Sequence, residues 1–260
     1  MYIKIKKLYE ACKEKNLSER RRIASIFLIQ GRIQKLITPP VAHLFIKLGI
    51  SADIVTIISF IFIFIGCSFF VLGNFFLGSL SWWIFCILDS LDGDIARLSK
   101  KKNKYGNTLD SFGADIFYYL FPFVVGFYLF NYTNYNYIMY DNNDILFISL
   151  FISFSLTAYR TIGLKRYILS LENKNNNKYQ KKIINKLSFY KKIYDIYDNE
   201  IIRGNFFSEP GIILNIFIMA IFNKENYLFY YLIIVSIYCF IRLLKSIFLT
   251  YISFRNMKAR

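Results

Sequence analysis

The amino-acid sequence predicts an all-α integral membrane protein with six transmembrane helices preceded by a short interfacial amphipathic helix. Of its 260 residues, 55% are hydrophobic and 20% are aromatic, an excess that is typical of a chain embedded in lipid. Several apolar runs reach the roughly 20 residues that a spanning helix requires. The lysines and arginines gather between these runs, as membrane topology demands.

The first 50 residues are predicted to be a cytoplasmic leader that ends in the interfacial helix. From Pro40 onward, apolar residues recur at helical spacing beside His43 and Lys47, which favours a helix lying on the lipid headgroups. A proline suits the first turn of such a helix. The apolar residues of this stretch are Val41, Leu44, Phe45 and Leu48.

A six-helix membrane domain is predicted over residues 51–260. Its fifth apolar run is short, and the long basic region 165–207 before it should contact anionic headgroups on the cytoplasmic side. The predicted spans are 52–72, 75–96, 109–130, 144–164, 210–223 and 227–249.

The basic residues predict the orientation of these spans. Of the 33 lysines and arginines, 32 lie in the leader, the linker between spans 2 and 3, the region 165–207 and the C-terminal end, or at span ends beside them. Lys224 is the one exception. The connection 131–144 has none, so it should lie outside. Both termini are then cytoplasmic, and we expect a bacterial cytoplasmic membrane. Topology also accounts for the net charge of +16, so no nucleic acid partner is expected.

The segment from Asp89 to Asp110, DSLDGDIARLSKKKNKYGNTLD, is the predicted active site of the chain. Asp89 and Asp92 share a face on a helix, and Ala96 continues that face with almost no side chain. Grouped carboxylates at the end of a membrane helix are costly unless paired or bound to a cation, and oxygen ligands suit Mg²⁺ or Mn²⁺. The alternative is that these aspartates only cap a helix end and face water.

The spacing Asp89-x-x-Asp92-Gly93-x-x-Ala96-Arg97, then eight residues, then Gly106-x-x-x-Asp110 resembles the signature of the CDP-alcohol phosphotransferases. The resemblance is close over this signature, and elsewhere it rests on the pattern of membrane spans. It implies metal-dependent transfer of a phosphoryl-linked group from CDP-diacylglycerol or a CDP-alcohol to an alcohol acceptor. CMP would be released, and the pathway would be phospholipid biosynthesis.

The resemblance also implies roles for individual residues. Two divalent cations, Mg²⁺ or Mn²⁺, would be held by carboxylates, and a second set would bind the CDP-linked donor. Gly93 would let the nucleotide approach the helix backbone, Ala96 would leave room for the nucleotide, and Arg97 would offer a forked hydrogen-bond donor to a phosphate oxygen. In family members, a Pro-Asn-x-x-Thr element before the first span helps hold the cytidine; residues 51–56 look similar, with Pro and Asn replaced and Thr56 kept. The metal set is Asp89, Asp92, Asp110 and Asp115, and the donor set is Thr56, Asp92, Gly93, Ala96, Arg97 and Gly106.

The chain departs from the family at the last aspartate, which normally follows Asp110 by four residues and is the proposed general base. Here Ala114 stands at that position and Asp115 comes next, about 100° further round a regular helix. A π-bulge near Gly113 would restore the register; otherwise another acid, such as Asp94, would take the proton. We expect Asp115 to be the base.

The acceptor is the least defined partner. Arg160 and Arg203 lie near predicted span ends and could bind the phosphate of a phosphorylated alcohol, or could only anchor the chain on its basic side. The expected partners are therefore the CDP-linked donor, the alcohol and membrane lipids, with a homodimer kept as an open option. An ion-coupled transporter and an inactive family member acting as a scaffold are the alternative functions.

Overall fold

The computed structural model describes residues 28–99, 106–133, 142–172 and 200–258, and all of its regular structure there is helical. Within these ranges, the structure does not describe the side chains of residues 106–108, 110, 142, 166–172, 200 and 252–258. The helices are α1 Ile29–Lys47, α2 Ala52–Val71, α3 Phe75–Ser99, α4 Gly106–Tyr132, α5 Asn142–Glu172, α6 Glu209–Ile221 and α7 Asn226–Lys258. Between α5 and α6, a short turn, Glu200–Ile202, leads into a π-helical turn, Arg203–Phe207.

The described helices confirm an all-α membrane protein. Five of them, α2 to α5 and α7, are long and apolar enough to cross a bilayer. The fifth predicted span corresponds to α6, which has 13 residues and is about 20 Å long, against roughly 30 Å of hydrocarbon. Its shortness agrees with the short apolar run in the sequence.

Helix α1 corrects the prediction of an interfacial helix starting at Pro40. The helix begins at Ile29, so Pro39 and Pro40 lie inside it instead of in its first turn. Contacts with α3 stabilise the earlier turns: Gln34 Nε2 donates to the carbonyl oxygen of Cys86 at 2.7 Å, and Trp83 Nε1 donates to Gln30 Oε1 at 3.3 Å. These tertiary bonds offset the backbone donors that the two prolines lack.

The described chain forms two compact units, and the first contains α1, α2, α3, the start of α4 up to Phe117, the π-helical turn and α6. Glycines let α2 and α3 approach closely, because a Cβ built on Gly66 would lie 2.3 Å from Trp82 and one on Gly78 would lie 2.5 Å from Phe70. Near the start of α2 and the end of α3, these two helices share a buried cluster with α1. Its members are Ala42, Val55, Leu91 and Ile95.

The start of α4 packs within the same unit. A Cβ on Gly113 would lie 2.4 Å from the ring of Phe60 on α2. Phe117 is fully buried, with its ring centroid 5.3 Å from that of Trp82 and 6.1 Å from that of Phe85. One side of α4, defined by Gly113 and Phe117, therefore faces α2 and α3.

Helix α6 is held to the first unit by stacking and by the turn before it. Phe217 stacks on Trp83 of α3 at 4.9 Å. Asn215 Nδ2 donates to the carbonyl oxygen of Asn205 at 2.8 Å, and Asn205 Oδ1 accepts the backbone N–H of Ile29 at 3.0 Å. The π-helical turn thus connects α6 to the first residue of α1.

The second unit contains the remainder of α4 with α5 and α7. Gly126 lies against Ser149, since a Cβ built there would be 2.0 Å from the serine hydroxyl. The rings of Phe151 and Phe240 join α5 to α7 at 5.7 Å. Close approach at a small residue is the usual way for helices to pack in lipid.

Candidate active site

The signature residues of α3 lie at its C-terminal end. The helix runs without interruption from Phe75 to Ser99, so Asp89 and Asp92 are less than a turn apart and share a face, as the sequence predicts. Asp89 is half-buried and Asp92 is 9% exposed. Ala96 is also half-buried, one turn beyond Asp92.

Thr56 of α2 contacts this carboxylate pair directly. Its hydroxyl Oγ1 donates a short hydrogen bond to Asp92 Oδ2, and both side chains are buried. Ser51 caps α2 by accepting the backbone N–H of Ile54 at 3.4 Å, which sets where the helix starts. The element around Thr56 and the signature are 36 residues apart in sequence and meet at one point.

Arg97 lies over Gly93 and pairs with Asp94. A Cβ built on Gly93 would be 3.1 Å from Arg97 Nη2 and 3.4 Å from Nη1, so the guanidinium occupies the space that the glycine leaves. Nη2 donates to Asp94 Oδ1 at 2.7 Å. Asp94 Oδ2 accepts from the hydroxyl of Thr38 on α1 at 2.5 Å. With one oxygen on each partner and 4% exposure, Asp94 is committed to Arg97 and Thr38 and is poorly placed to take a proton from an acceptor.

Helix α4 carries the remaining signature residues. Gly106 is its first residue, and Asp110 lies in its second turn with a side chain outside the description. The helix is α-helical through Gly113 to Asp115, without the bulge that would restore the family register. Asp115 is half-buried and lies about 200° round the helix from the Gly113 side that faces α2 and α3. Ala114, at the family position, lies about 60° from Phe117 on that side.

The two candidate acceptor residues belong to different units. Arg203 is half-buried in the π-helical turn, where its carbonyl oxygen accepts the N–H of Ser208 at 2.7 Å. Arg160 belongs to the second unit, and its guanidinium carbon lies 5.1 Å from the centre of the Tyr118 ring. This distance fits a cation–π contact.

The residues at the signature fit a divalent metal by their chemistry. Asp89 and Asp92 would present oxygen ligands on one face, which would suit Mg²⁺ or Mn²⁺ better than softer metals. Among the side chains that the structure describes, no group of three or more His, Cys, Asp or Glu is close enough to hold an ion. The side chain of Asp110, which the signature would add to the pair, is not among them.

Sequence reasoning missed two arrangements. The spacing of Asp94 and Arg97 is a helical ion-pair spacing that could have been recognised, but their link to Thr38 joins residues 56 apart and has no local signal. In the second unit, Arg242 Nη2 donates to Tyr159 Oη at 2.6 Å, with the guanidinium 4.2 Å from that ring. A lone arginine within a predicted span was the available sign.

These features define a multi-pass helical membrane protein with a buried carboxylate site, an adjacent glycine and a guanidinium over that glycine. Oxygen ligands for a cation beside a forked phosphate donor are what a transferase of phosphorus-containing groups needs. The family model described as CDP-alcohol phosphatidyltransferase matches residues 50–191, more than half of the chain, and the protein belongs to this family. The match includes the whole signature. A comparison with curated proteins finds no significant match.

Proposed function

We propose that the protein transfers a phosphatidyl or similar phosphoryl-linked group from a CDP-linked donor to an alcohol, with release of CMP, in phospholipid biosynthesis. The observation that carries this proposal is the hydrogen bond from Thr56 to Asp92. It joins the element that resembles the family's cytidine-holding segment to the carboxylates of the signature. Family membership supplies the reaction class.

The donor would bind over the C-terminal end of α3. Gly93 carries no side chain, so the nucleotide and the Arg97 guanidinium can both come close to the helix backbone, and Ala96 keeps the next turn open. Arg97 would donate to a diphosphate oxygen, and Thr56 would fix the orientation of Asp92. Gly106 would let the start of α4 approach the nucleotide.

The carboxylates would hold two divalent cations, Mg²⁺ or Mn²⁺. We assign Asp89, Asp92 and Asp110 to this role, with Asp115 as a further ligand. When bound, these cations would polarise the diphosphate and offset the charge of the departing CMP. The protein contributes the fixed directions of the carboxylates, of which the contact between Thr56 and Asp92 is one determinant.

We retain Asp115 as the proposed general base. The alternative acid, Asp94, has both carboxylate oxygens engaged by Arg97 and Thr38. The regular register of α4 directs Asp115 away from the Gly113 side, so this role requires the start of α4 to rotate or bulge when substrates bind. General base catalysis is worth about 10²- to 10⁴-fold, so the assignment has a measurable consequence.

Either Arg160 or Arg203 is proposed to bind the acceptor when it carries a phosphate. Both are half-buried arginines, and a guanidinium recognises phosphate by forked hydrogen bonds. The basic segments on one side of the spans support a cytoplasmic position for the site and for both termini. Soluble alcohols and nucleotides are available there.

The test is CMP release by purified protein supplied with CDP-diacylglycerol or CDP-alcohols, a panel of alcohols, and Mg²⁺ or Mn²⁺. Release should need both an acceptor and the metal. Asp89→Asn and Asp92→Asn should each abolish it, whereas Asp144→Asn, at the start of α5 in the second unit, is the matched control and should retain it. Absence of CMP release with every donor and acceptor pair would contradict the proposal.

A further inference from the structure

Asp94 lies among the signature residues without occupying one of the signature's fixed positions. Its carboxylate is nevertheless among the most buried charged groups that the structure describes, with 4% exposure. Burial of a carboxylate is costly unless its oxygens are paired. The two partners of Asp94 come from different helices: Arg97 from α3 itself and Thr38 from α1.

The two carboxylate oxygens of Asp94 accept hydrogen bonds from different residues. Oδ2 accepts from the Thr38 hydroxyl at 2.5 Å, which prevents the carboxylate from turning about its own axis. Oδ1 accepts from Arg97 Nη2 at 2.7 Å. The hydroxyl of Thr38 also lies 3.0 Å from the carbonyl oxygen of Gln34, one turn earlier on α1. The threonine is fully buried at 1% exposure, so its position is set by packing.

The exposed side of this group is the guanidinium. The Arg97 side chain is 30% exposed and that of Asp94 is 6% exposed, so solvent reaches the arginine far more than the carboxylate. The guanidinium is held over Gly93, within 3.1 Å of where a Cβ would stand. A guanidinium has five N–H donors in a planar fork, a geometry that lets one side chain bond a carboxylate and an anion at the same time.

We propose that Asp94, anchored by Thr38, is a positioning residue that holds the Arg97 guanidinium over Gly93 so that it meets the diphosphate of the donor without reorienting. Asp94 acts through Arg97 and does not touch the reacting atoms. An arginine side chain is rich in rotamers, and fixing it before substrate binds removes an ordering cost from the binding step. The role in donor binding rests on the proposed function, whereas the link between Thr38, Asp94 and Arg97 does not.

The competing explanation is that the hydrogen bond from Thr38 to Asp94 only fastens α1 to α3, with Arg97 neutralising the buried carboxylate. Cluster residues such as Ala42 and Leu91 already pack the two helices together. A fastening role would change folding stability and affect both substrates equally. A positioning role would change the freedom of Arg97 and would affect the donor selectively.

The first experiment needs no enzymatic activity. The full-length protein in lipid nanodiscs is treated with phenylglyoxal, and modification of Arg97 is followed by peptide mass spectrometry. Asp94→Asn should speed this modification several-fold and Thr38→Val should speed it less, whereas Thr38→Ser, which keeps the hydroxyl, should match the wild-type rate. Equal rates in wild type, Asp94→Asn and Thr38→Val would overturn the proposal. If Asp94→Asn does not fold, the comparison of Thr38→Val with Thr38→Ser decides the outcome.

The second experiment measures CMP release with donor and acceptor varied separately. Asp94→Asn should raise the KM for the CDP-linked donor about tenfold or more and leave the KM for the alcohol unchanged, and Asp94→Glu should restore part of the donor affinity. In the Asp94→Asn background, Arg97→Lys should add little further loss, since residues that act as one unit are not additive. Equal changes in both KM values together with a lower midpoint of thermal unfolding would overturn positioning in favour of fastening. A wild-type protein that releases no CMP would contradict the proposed function and leave the phenylglyoxal result to decide the Arg97 contact.

Discussion

Substitution of Thr56 by valine tests the contact between Thr56 and Asp92 on which the proposed active site depends. Valine has nearly the same shape as threonine but lacks the hydroxyl that donates to Asp92 Oδ2. Because Thr56 and Asp92 are 6% and 9% exposed, water has little access to replace the missing donor. The substitution therefore removes one hydrogen bond from a buried carboxylate while the packing between α2 and α3 stays nearly the same.

The size of the effect follows from the worth of a hydrogen bond to a charged group, which is about 1.5–3 kcal/mol. If Asp92 needs this bond to keep its geometry in the transition state, kcat/KM should drop by about 10- to 150-fold. Thr56→Ser keeps the hydroxyl and loses one methyl group, so it should lose much less activity than Thr56→Val.

The assay is metal-dependent CMP release, measured for wild type, Thr56→Val and Thr56→Ser at several Mn²⁺ concentrations. Thr56→Val should also need more Mn²⁺ for half-maximal activity, because the carboxylate that it releases is a proposed metal ligand. Size-exclusion profiles in detergent check that the variants are folded. Wild-type kcat/KM in Thr56→Val would refute the claim that this hydrogen bond orients the site.

Three further predictions address the base, the topology and the packing. The paired substitution Ala114→Asp, Asp115→Ala recreates the family spacing; it should at least preserve CMP release, and a total loss would show that the natural spacing is required. A cysteine introduced near Asn136 should react with a membrane-impermeant thiol reagent from outside intact cells, and one near Lys102 should not; the reverse pattern would invert the topology. Gly78→Val should destabilise the fold by about 1–3 kcal/mol, because a Cβ there would lie 2.5 Å from a phenyl carbon of the neighbouring helix. An unchanged midpoint of thermal unfolding would show that the two helices can separate at little cost.

The prediction of α1 shows why local signals misplace a helix start. Pro40 is a favourable first-turn residue, and the apolar spacing begins beside it, so the sequence indicated a start there. The helix in fact begins at Ile29, because Gln34 and Gln30 find partners on α3 and Asn205 accepts the first backbone N–H. Those partners are remote in sequence and give no local pattern. Their bonds stabilise turns that the two prolines alone would disfavour.

The register of α4 presents the opposite case, in which the sequence posed a question that only the folded chain could address. Ala114 at the family position was visible by counting residues from Asp110. Whether a bulge compensates depends on backbone hydrogen bonds and on the packing of Gly113 against Phe60, which the sequence does not contain. The described helix is regular there, and its register directs Asp115 away from the Gly113 side. A role for Asp115 as general base therefore requires the start of α4 to rotate or bulge.

The sequence by itself determined the all-α membrane class, the short sixth helix and the carboxylate pair on one face, because hydropathy and helical spacing are local properties of the chain. Only the tertiary structure brought Thr56 to Asp92 and Thr38 to Asp94, since these contacts join helices whose relative approach depends on glycines and on buried side chains. Periodicity predicts which face of a helix a residue occupies. The packing of the helices decides which residue of a neighbouring helix contacts that face. Side chains that are distant in the chain become neighbours only when apolar and small residues let their helices come together.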